Sequence, residues 1–456
     1  MRPLLRIPYT EPLPLPKIIP ASANTASGAI AALVEFLSAP ASTSISIPTP
    51  TSTSASTSTS TSASSSTSAS HHLPHLYRGT TRSSQLPDRS NPSTTTTTTG
   101  SHASSRLLPQ PIHTQNKTVL LTGAGISVAS GLADYRGTKG TYTLNKTYRP
   151  IYYNEFCASH EARKRYWARS FLGWTNLERA QPNAAHSAVG RLGELGVVGS
   201  VVTQNVDSFH PLSHPSLPTL ELHGYLRSLT CISCYSTYPR SSFQSQLASL
   251  NPAWSSFLAE ILATGALDTE NPDERRRKGL KTNPDGDVDV PGANYATFRY
   301  PACPVCLEHG APASSNGTPA ARVEVDGDGA WTPPSTSTST STFPSPSSSG
   351  VLKPGVVMFG ESIRADVKLA AENAIDTASR ILVIGSSLAT YSAWRLVKRA
   401  KERGLPVGVL NIGGVRGEET FFGGLEEEGA GEEGVRVSGS AEEILPRVVR
   451  VLEGRG

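Results

Sequence analysis

The segment from Val119 to Arg136, VLLTGAGISVASGLADYR, constrains this chain more than any other. Three aliphatic residues and a threonine suit a buried strand. Gly123-Ala124-Gly125 then makes a turn, Ile126 opens a helix, and Asp134-Tyr135-Arg136 ends a polar loop. In that order the backbone N–H groups of Gly123, Ala124 and Gly125, with Ile126 beside them, form an anion cradle at the positive end of a helix. The turn departs from the G-x-G-x-x-G fingerprint of hydride-transfer enzymes, because Val128 stands where the third glycine would be. An arginine and an aromatic over a phosphate turn suit a cofactor held for attack on its own sugar.

Further strand signals lie at Thr118–Thr122, Val197–Thr203, Arg380–Ile384 and Pro406–Asn411, each a short apolar run ended by a polar or glycine loop. Helical patterns lie between them, at His186–Leu195, Ala365–Ala378 and Ala393–Arg403. The alternation predicts an α/β fold built on a doubly wound, mostly parallel sheet, with ligands beyond the carboxyl ends of the strands. Near the start, Ala21–Leu37 reads as a helix capped by Ser22 or Asn24, with Ile30, Leu33, Val34 and Leu37 on one apolar face. Two Ser/Thr-rich tracts, 39–105 and 311–350, cannot bury a core and are expected to be disordered.

The net charge of +4 is small for 456 residues and its basic residues are scattered, which argues against nucleic acid as a partner. The one basic cluster, Arg275–Lys278, sits among acids and reads as a solvated helix face. No apolar run is long enough for a membrane span. Arg2 and Arg6 precede the first acid, Glu11, which suggests a mitochondrial presequence, although the nearby prolines suit a helical one poorly. The expected address is the mitochondrial matrix, with cytoplasm or nucleus as alternatives.

Four of the five cysteines form two CxxC knuckles, Cys231/Cys234 and Cys303/Cys306. Four thiolates together would make a closed tetrahedral zinc site with no open position, which reads as structural; two unrelated thiol pairs or a redox CxxC are the alternatives. Cys157 stands alone and reads as a small buried hydrophobe. Gln204, Asn205 and Asp207 follow the strand VGSVVT, where an amide and a carboxylate suit a carboxamide such as that of nicotinamide; the bland reading is an Asx turn. His223 follows an apolar run just before the first knuckle, near the junction of two domains, and has the pKa of a general base. Phe359, Gly360 and Glu361 close a strand-like edge suited to an extended peptide. Gly385, Ser386 and Ser387 follow RILVI and suit a ribose or phosphate; Asn411, Ile412 and Gly413 follow PVGVL and suit the adenine-side ribose.

Taken in order, GAGIS (123–127), ADYR (133–136), TQNVD (203–207), LHG (222–224), the two knuckles, VVMFGE (356–361), GSSL (385–388) and NIG (411–413) resemble the sirtuin family of NAD-dependent protein deacylases. RKRYWARSFLGW (163–174), NPAWS (251–255) and NPDGDV (283–288) further resemble its class II, sirtuin-four type, which is mitochondrial, and the lead-in IPYTEPLPLP resembles fungal members. Tyr135 stands where most of that family has phenylalanine.

The resemblance implies a Rossmann-like NAD domain with a smaller zinc-binding and helical domain. The expected division is an N-terminal segment and helix over 1–38, an insert over 39–105, NAD-domain parts over 106–155, 186–228 and 351–456, a helical part over 156–185, a zinc-binding part over 229–310, and a second insert over 311–350. It also implies the chemistry. NAD is the cosubstrate, Asn205 and Asp207 hold the nicotinamide pocket, the acyl-lysine oxygen attacks the ribose C1′, and His223 acts as base on a ribose hydroxyl. The products are nicotinamide, free lysine and O-acyl-ADP-ribose, and the partners are acyl-lysine proteins bound by a monomer. A mono-ADP-ribosyltransferase would use the same pocket, and a non-catalytic zinc-bearing module is a third reading. Tyr166 and Arg169, three apart on a helix, are expected to line the acyl pocket and favour acidic or polar acyl groups; a core tyrosine beside a surface arginine is the alternative.

Overall fold

The computed structural model describes residues 12–40, 117–137, 140–144, 148–265, 281–282, 287–290, 292–312, 322–334, 348–425 and 431–454. The expected presequence, most of the first insert and the Arg275–Lys278 cluster lie outside them. In chain order the strands are β1 (Thr118–Thr122), β2 (Val198–Thr203), β3 (Thr219–Glu221), β4 (Gly224–Cys231), β5 (Thr237–Pro239), β6 (Lys281–Thr282), β7 (Val288–Asp289), β8 (Glu324–Val325), β9 (Trp331–Thr332), β10 (Leu352–Val356), β11 (Arg380–Ile384), β12 (Val407–Leu410) and β13 (Gly434–Val437).

Six of them form one parallel sheet in the order β13-β12-β11-β1-β2-β3. The chain builds outward from β1 to β3, then returns to the other side of β1 and builds outward again. The strand order therefore reverses beside β1, which opens a crevice at the carboxyl ends. Side chains alternate between two helical layers. Leu120, Val201, Leu382 and Leu410 pack under the helices Ala26–Ser38, Ala184–Glu194 and Ala441–Glu453. Val119, Leu121, Val202, Ile381 and Val383 pack under Ala365–Asp376 and Tyr391–Glu402.

A second core gathers the helix His160–Arg179, the helices Arg240–Leu250 and Pro252–Ala263, and the antiparallel sheet β10-β4-β5. β10 pairs with β4 from Leu352 opposite Cys231 to Val356 opposite Gly224. Residues 352–356, expected in the third part of the large domain, thus belong to the small sheet, and so do residues 224–228.

Several local expectations are corrected. The N-terminal helix is two pieces, a 3-10 turn Ala21–Asn24 and the α-helix Ala26–Ser38, and its cap is Thr25, whose side chain accepts the Gly28 N–H at 3.1 Å; neither Ser22 nor Asn24 caps it. The segment after β1, Ala124–Ser130, is a 3-10 turn rather than the start of an α-helix, so it adds little axial dipole. Val357–Glu361 is a loop beyond the end of β10, not a strand edge. The 311–350 tract holds the β8–β9 ribbon, with Val323 and Trp331 buried and Trp331 Nε1 donating to Ser349 O at 2.9 Å.

Candidate active site at the strand ends

The loops after β1, β2, β3, β11 and β12 line one cavity of about 730 Å³, together with the loop after β10 and one face of the helix His160–Arg179. That volume is in the range of small-molecule sites. Of the residues singled out for cofactor and substrate, all but one lie in its wall. The exception is Ile126, which is 1% exposed and packs in the core below.

The glycines do a different job from the one expected. The Gly123 N–H donates to Ile384 O at 3.0 Å and the Gly125 N–H to Gly385 O at 2.8 Å. These two amides therefore hold the β1 turn against the β11 turn, and only Ala124 of the three remains outside such a bond. A Cβ on Gly125 would lie 2.8 Å from both the Cα and the carbonyl oxygen of Gly385. Glycine is needed here because two strand-end turns touch backbone to backbone, which brings Ser386 beside them. Asn183, the cap of the helix Ala184–Glu194, steadies the same turn by donating to Ile126 O at 2.8 Å and Ser130 Oγ at 3.0 Å.

Ser127 ties the β1 turn to the β2 loop. Its hydroxyl donates to Asp207 Oδ2 at 2.7 Å and accepts from Asn205 Nδ2 at 3.1 Å. Asp207 Oδ1 accepts the Phe209 N–H at 2.9 Å, and Asn205 Nδ2 also reaches Gly123 O at 3.2 Å. Burial raises the Asp207 pKa, against the pull of those two donors. Gln204 spans to the β11 loop, with Nε2 donating to Ser386 Oγ at 2.7 Å and Oε1 accepting from Thr390 at 2.9 Å.

His223 is placed by the glycine after it. Gly224 has φ +74, and its N-terminal neighbour's carbonyl accepts the Val357 N–H at 2.7 Å. The imidazole Nδ1 lies 2.9 Å from Gln204 O, which can only accept, so the proton sits on Nδ1. Nε2 is then the basic nitrogen, 2.8 Å from Ser392 Oγ. Burial lowers the His223 pKa below 6.5, with the Gln204 carbonyl opposing. The imidazole is therefore neutral and able to accept a proton at pH 7.

Around the mouth, Asp134 accepts the Gly137 N–H at 2.7 Å, and burial raises its pKa. The Arg136 guanidinium lies 5.2 Å from the centre of the Tyr142 ring, and Tyr135 packs edge-on to Phe359. The 357–361 loop is already braced. Phe359 O accepts from Tyr153 N at 2.9 Å, and Glu361 accepts from Met358 N at 2.9 Å and pairs with Lys353 at 3.2 Å. This corrects the open edge expected there, although Phe359, Gly360 and Glu361 do face the cavity. Tyr166 and Arg169 also line it, but Arg169 is not a free cation. It pairs with Asp287 at 2.6 Å, both buried. Burial lowers the arginine pKa, and Asp287 together with Tyr148, Asp289 and Tyr295 outweighs this, leaving a net rise.

The four knuckle sulfurs lie within 4.8 Å of one another, with Cys231–Cys306 at 3.7 Å and Cys234–Cys303 at 3.6 Å. Tetrahedral coordination at a Zn–S distance of about 2.3 Å sets sulfurs near 3.8 Å apart, so the donor set fits one zinc ion with its coordination filled.

Residues 123–392 match the Sir2 family. The NAD-dependent protein deacylase SIR4 of Batrachochytrium dendrobatidis is 38% identical over 321 residues, 70% of this chain and 88% of the relative. The chain belongs to the Sir2 family. The NAD-dependent protein deacylase SRT2 of Arabidopsis thaliana is 32% identical, over 67% of this chain and 68% of its own. The NAD-dependent protein deacetylase 2 of Bradyrhizobium diazoefficiens is 32% identical, over 68% and 88%. Among the described residues of this Sir2 chain, no helix is long and apolar enough to cross a membrane.

Ser127, Asp287, Thr390 and Ser392 were not singled out in the sequence. Ser127 sits inside the GAGIS motif and Asp287 inside NPDGDV (283–288), while Thr390 and Ser392 carry no local signal. Three buried histidines were also missed. His210 links Thr122 Oγ1 at 2.8 Å and His214 at 2.9 Å, and His186 packs beside it with its ring centre 5.1 Å away. Burial lowers all three pKa values, His186 to about 4. A lowered histidine pKa leaves stability intact above about pH 6.5 and removes it as the pH falls toward the folded value. Thermal melts should therefore lose on the order of 3 kcal/mol between pH 7 and pH 4 from His186 alone. A flat profile over that window would contradict the burial of these rings.

Proposed function

We propose that this chain is an NAD-dependent protein-lysine deacylase that moves an acyl group from lysine to the ADP-ribose of NAD and releases nicotinamide. The observation that carries the reading is the meeting of His223 Nε2, Asn205 and Asp207 in the wall of one cavity that the 358–361 loop also lines. NAD, as cosubstrate, brings an electrophilic sugar carbon with nicotinamide as leaving group. Asn205 and Asp207, held together by Ser127, offer a donor and an acceptor for the carboxamide. Fixing them before the substrate arrives reduces reorganisation during reaction. His223, with Nδ1 tied to Gln204, presents Nε2 to take a ribose hydroxyl proton. The zinc would be held by Cys231, Cys234, Cys303 and Cys306, and would supply structure to the small module. The test is nicotinamide release from NAD with and without an acyl-lysine peptide. Release only with peptide is expected. Equal release without it would favour ADP-ribosyl transfer, and none at all a zinc-bearing interaction module.

The class II, sirtuin-four type is the finer reading, supported by RKRYWARSFLGW and by the likeness to the deacylase SIR4. A mitochondrial-matrix address goes with it and rests on Arg2 and Arg6; a fluorescent fusion confined to the cytosol would contradict it. The acyl end of the cavity carries a neutralised ion pair, so an uncharged polar acyl group suits it better than a carboxylate. Arg169 Nε, buried and with no hydrogen-bond partner among the described residues, is a donor available to such a group. Asp287→Asn keeps the shape and removes the counter-charge. The glutaryl-to-acetyl ratio of kcat/KM should rise about tenfold in this variant, as one ion pair of partner charge is released. An unchanged ratio would remove Arg169 from acyl recognition.

A further inference from the structure

The N-terminal segment reaches the same cavity from a direction the motifs do not indicate. Pro12 and Leu13 lie in its wall together with Asn411, Ile412, Gly413 and Gly414. Leu13 is half-buried, whereas Leu15, two residues on, is 90% exposed and lies outside that wall. Ile412 is 64% exposed, an apolar side chain at the cavity edge. Any Cβ at position 414 would collide with the Pro14 carbonyl, so the glycine is what lets the segment lie against the β12 loop.

A buried ion pair fastens the two together. Arg436 Nε donates to Glu418 Oε1 at 2.6 Å, and both side chains are essentially inaccessible. The rest of the guanidinium holds the loop after β12, donating to Gly413 O at 2.6 Å and Asn411 O at 3.2 Å. Glu418 holds the same loop through Val415 N at 3.0 Å, and holds the N-terminal segment through Lys17 N at 3.0 Å. Lys17 Nζ reaches Phe422 O at 3.2 Å, and Ile19 exchanges two backbone hydrogen bonds with Arg436, at 3.0 and 2.8 Å. One charge pair thus sets the position of the adenosine-side loop and of the strap that crosses it.

We propose that Pro12–Pro14 form the outer wall of the adenosine end of the dinucleotide site, with Leu13 contacting the adenosine. The proposal rests on the reading of the cavity as an NAD site. An apolar side chain at that wall packs on the flat face of a base, and the nicotinamide ring is assigned to the other end by the donor and acceptor that Asn205 and Asp207 offer its carboxamide. Arg436 and Glu418 act through the loop and strap and are positioning residues.

The test is calorimetric titration with ADP-ribose of the full chain, a chain lacking residues 1–16, and the variants Leu13→Asp and Leu15→Asp. Leu13→Asp and the truncation should weaken ADP-ribose at least about fivefold, the loss expected when a part-buried aliphatic contact is replaced by a solvated group. Leu15→Asp should stay within about twofold of the full chain, which separates contact from charge. Full-chain affinity in both Leu13→Asp and the truncation would overturn the strap, and so would equal weakening by Leu15→Asp. Failure of the full chain itself to bind ADP-ribose would instead remove the NAD reading, and the strap with it.

Discussion

His223→Ala should lower the rate of deacylation by about three orders of magnitude while leaving the melting temperature within a few degrees, because a positioned general base typically contributes 10²–10⁴-fold. The imidazole has few structural duties. Its Nδ1 bonds one carbonyl, at Gln204, and its Nε2 one hydroxyl, at Ser392. Both partners border the cavity, where water can replace the lost bonds. The loss should therefore appear in kcat rather than in stability. Exchange of labelled nicotinamide into NAD, run with an acyl-lysine peptide, separates the roles further, since in the proposed reaction it draws on Asn205 and Asp207 but not on a base for the ribose hydroxyl. Exchange should survive in His223→Ala, and should fall in Asp207→Asn, where the carboxylate that receives Ser127 and Phe209 is changed to an amide. Loss of exchange in both variants together with a collapsed melting temperature would assign His223 to structure.

Cys231→Ser should release the zinc, lower the melting temperature by roughly 10 °C and raise the KM for peptide more than the KM for NAD. Removing one of four thiolates breaks a closed site whose binding energy is folding energy for the small module. A loss of several kcal/mol in a chain of this size corresponds to a shift of that order. The route to the peptide side is structural. β4 starts at Gly224, beside His223, and ends at Cys231; β10 pairs along it and runs directly into the 357–361 loop. Cys303 N donates to Gly350 O at 2.8 Å and Ile232 N to Val351 O at 3.0 Å, which fixes the start of β10 to both knuckles. Metal analysis should find one zinc per wild-type chain and none in the variant. A variant that keeps its zinc and its melting temperature would mean that the four cysteines are not a metal centre.

The strands that carry the site were legible because each is a run of aliphatic residues with a polar stop, and both β1 and β11 were bounded correctly to the residue. β3 and β13 were not. β3 is three residues long, and β13 contains Arg436, whose charge hides a strand until Glu418 is seen to pair with it. The same limit applies within the site. Motif residues at strand ends were found because the loop sits where the sheet puts it. Ser392 reaches the cavity only through tertiary packing, and no local pattern marks it; Asp287 and the N-terminal strap lie in the quoted segments NPDGDV and IPYTEPLPLP, but nothing in either pattern shows that it folds onto the cavity. Ile126 failed for the opposite reason. It lies in a true motif, but the 3-10 turn rotates it inward to the core while Ser127 faces the cavity. Composition misled at 322–334, where Ser/Thr tracts on either side masked a short ribbon with a buried tryptophan.

The most direct measurement is the identity of the products formed from NAD and an acyl-lysine peptide, resolved by mass spectrometry. Nicotinamide, deacylated peptide and O-acyl-ADP-ribose are expected in equal amounts. ADP-ribose attached to protein with the acyl group still on the lysine, or NAD left intact, would contradict it.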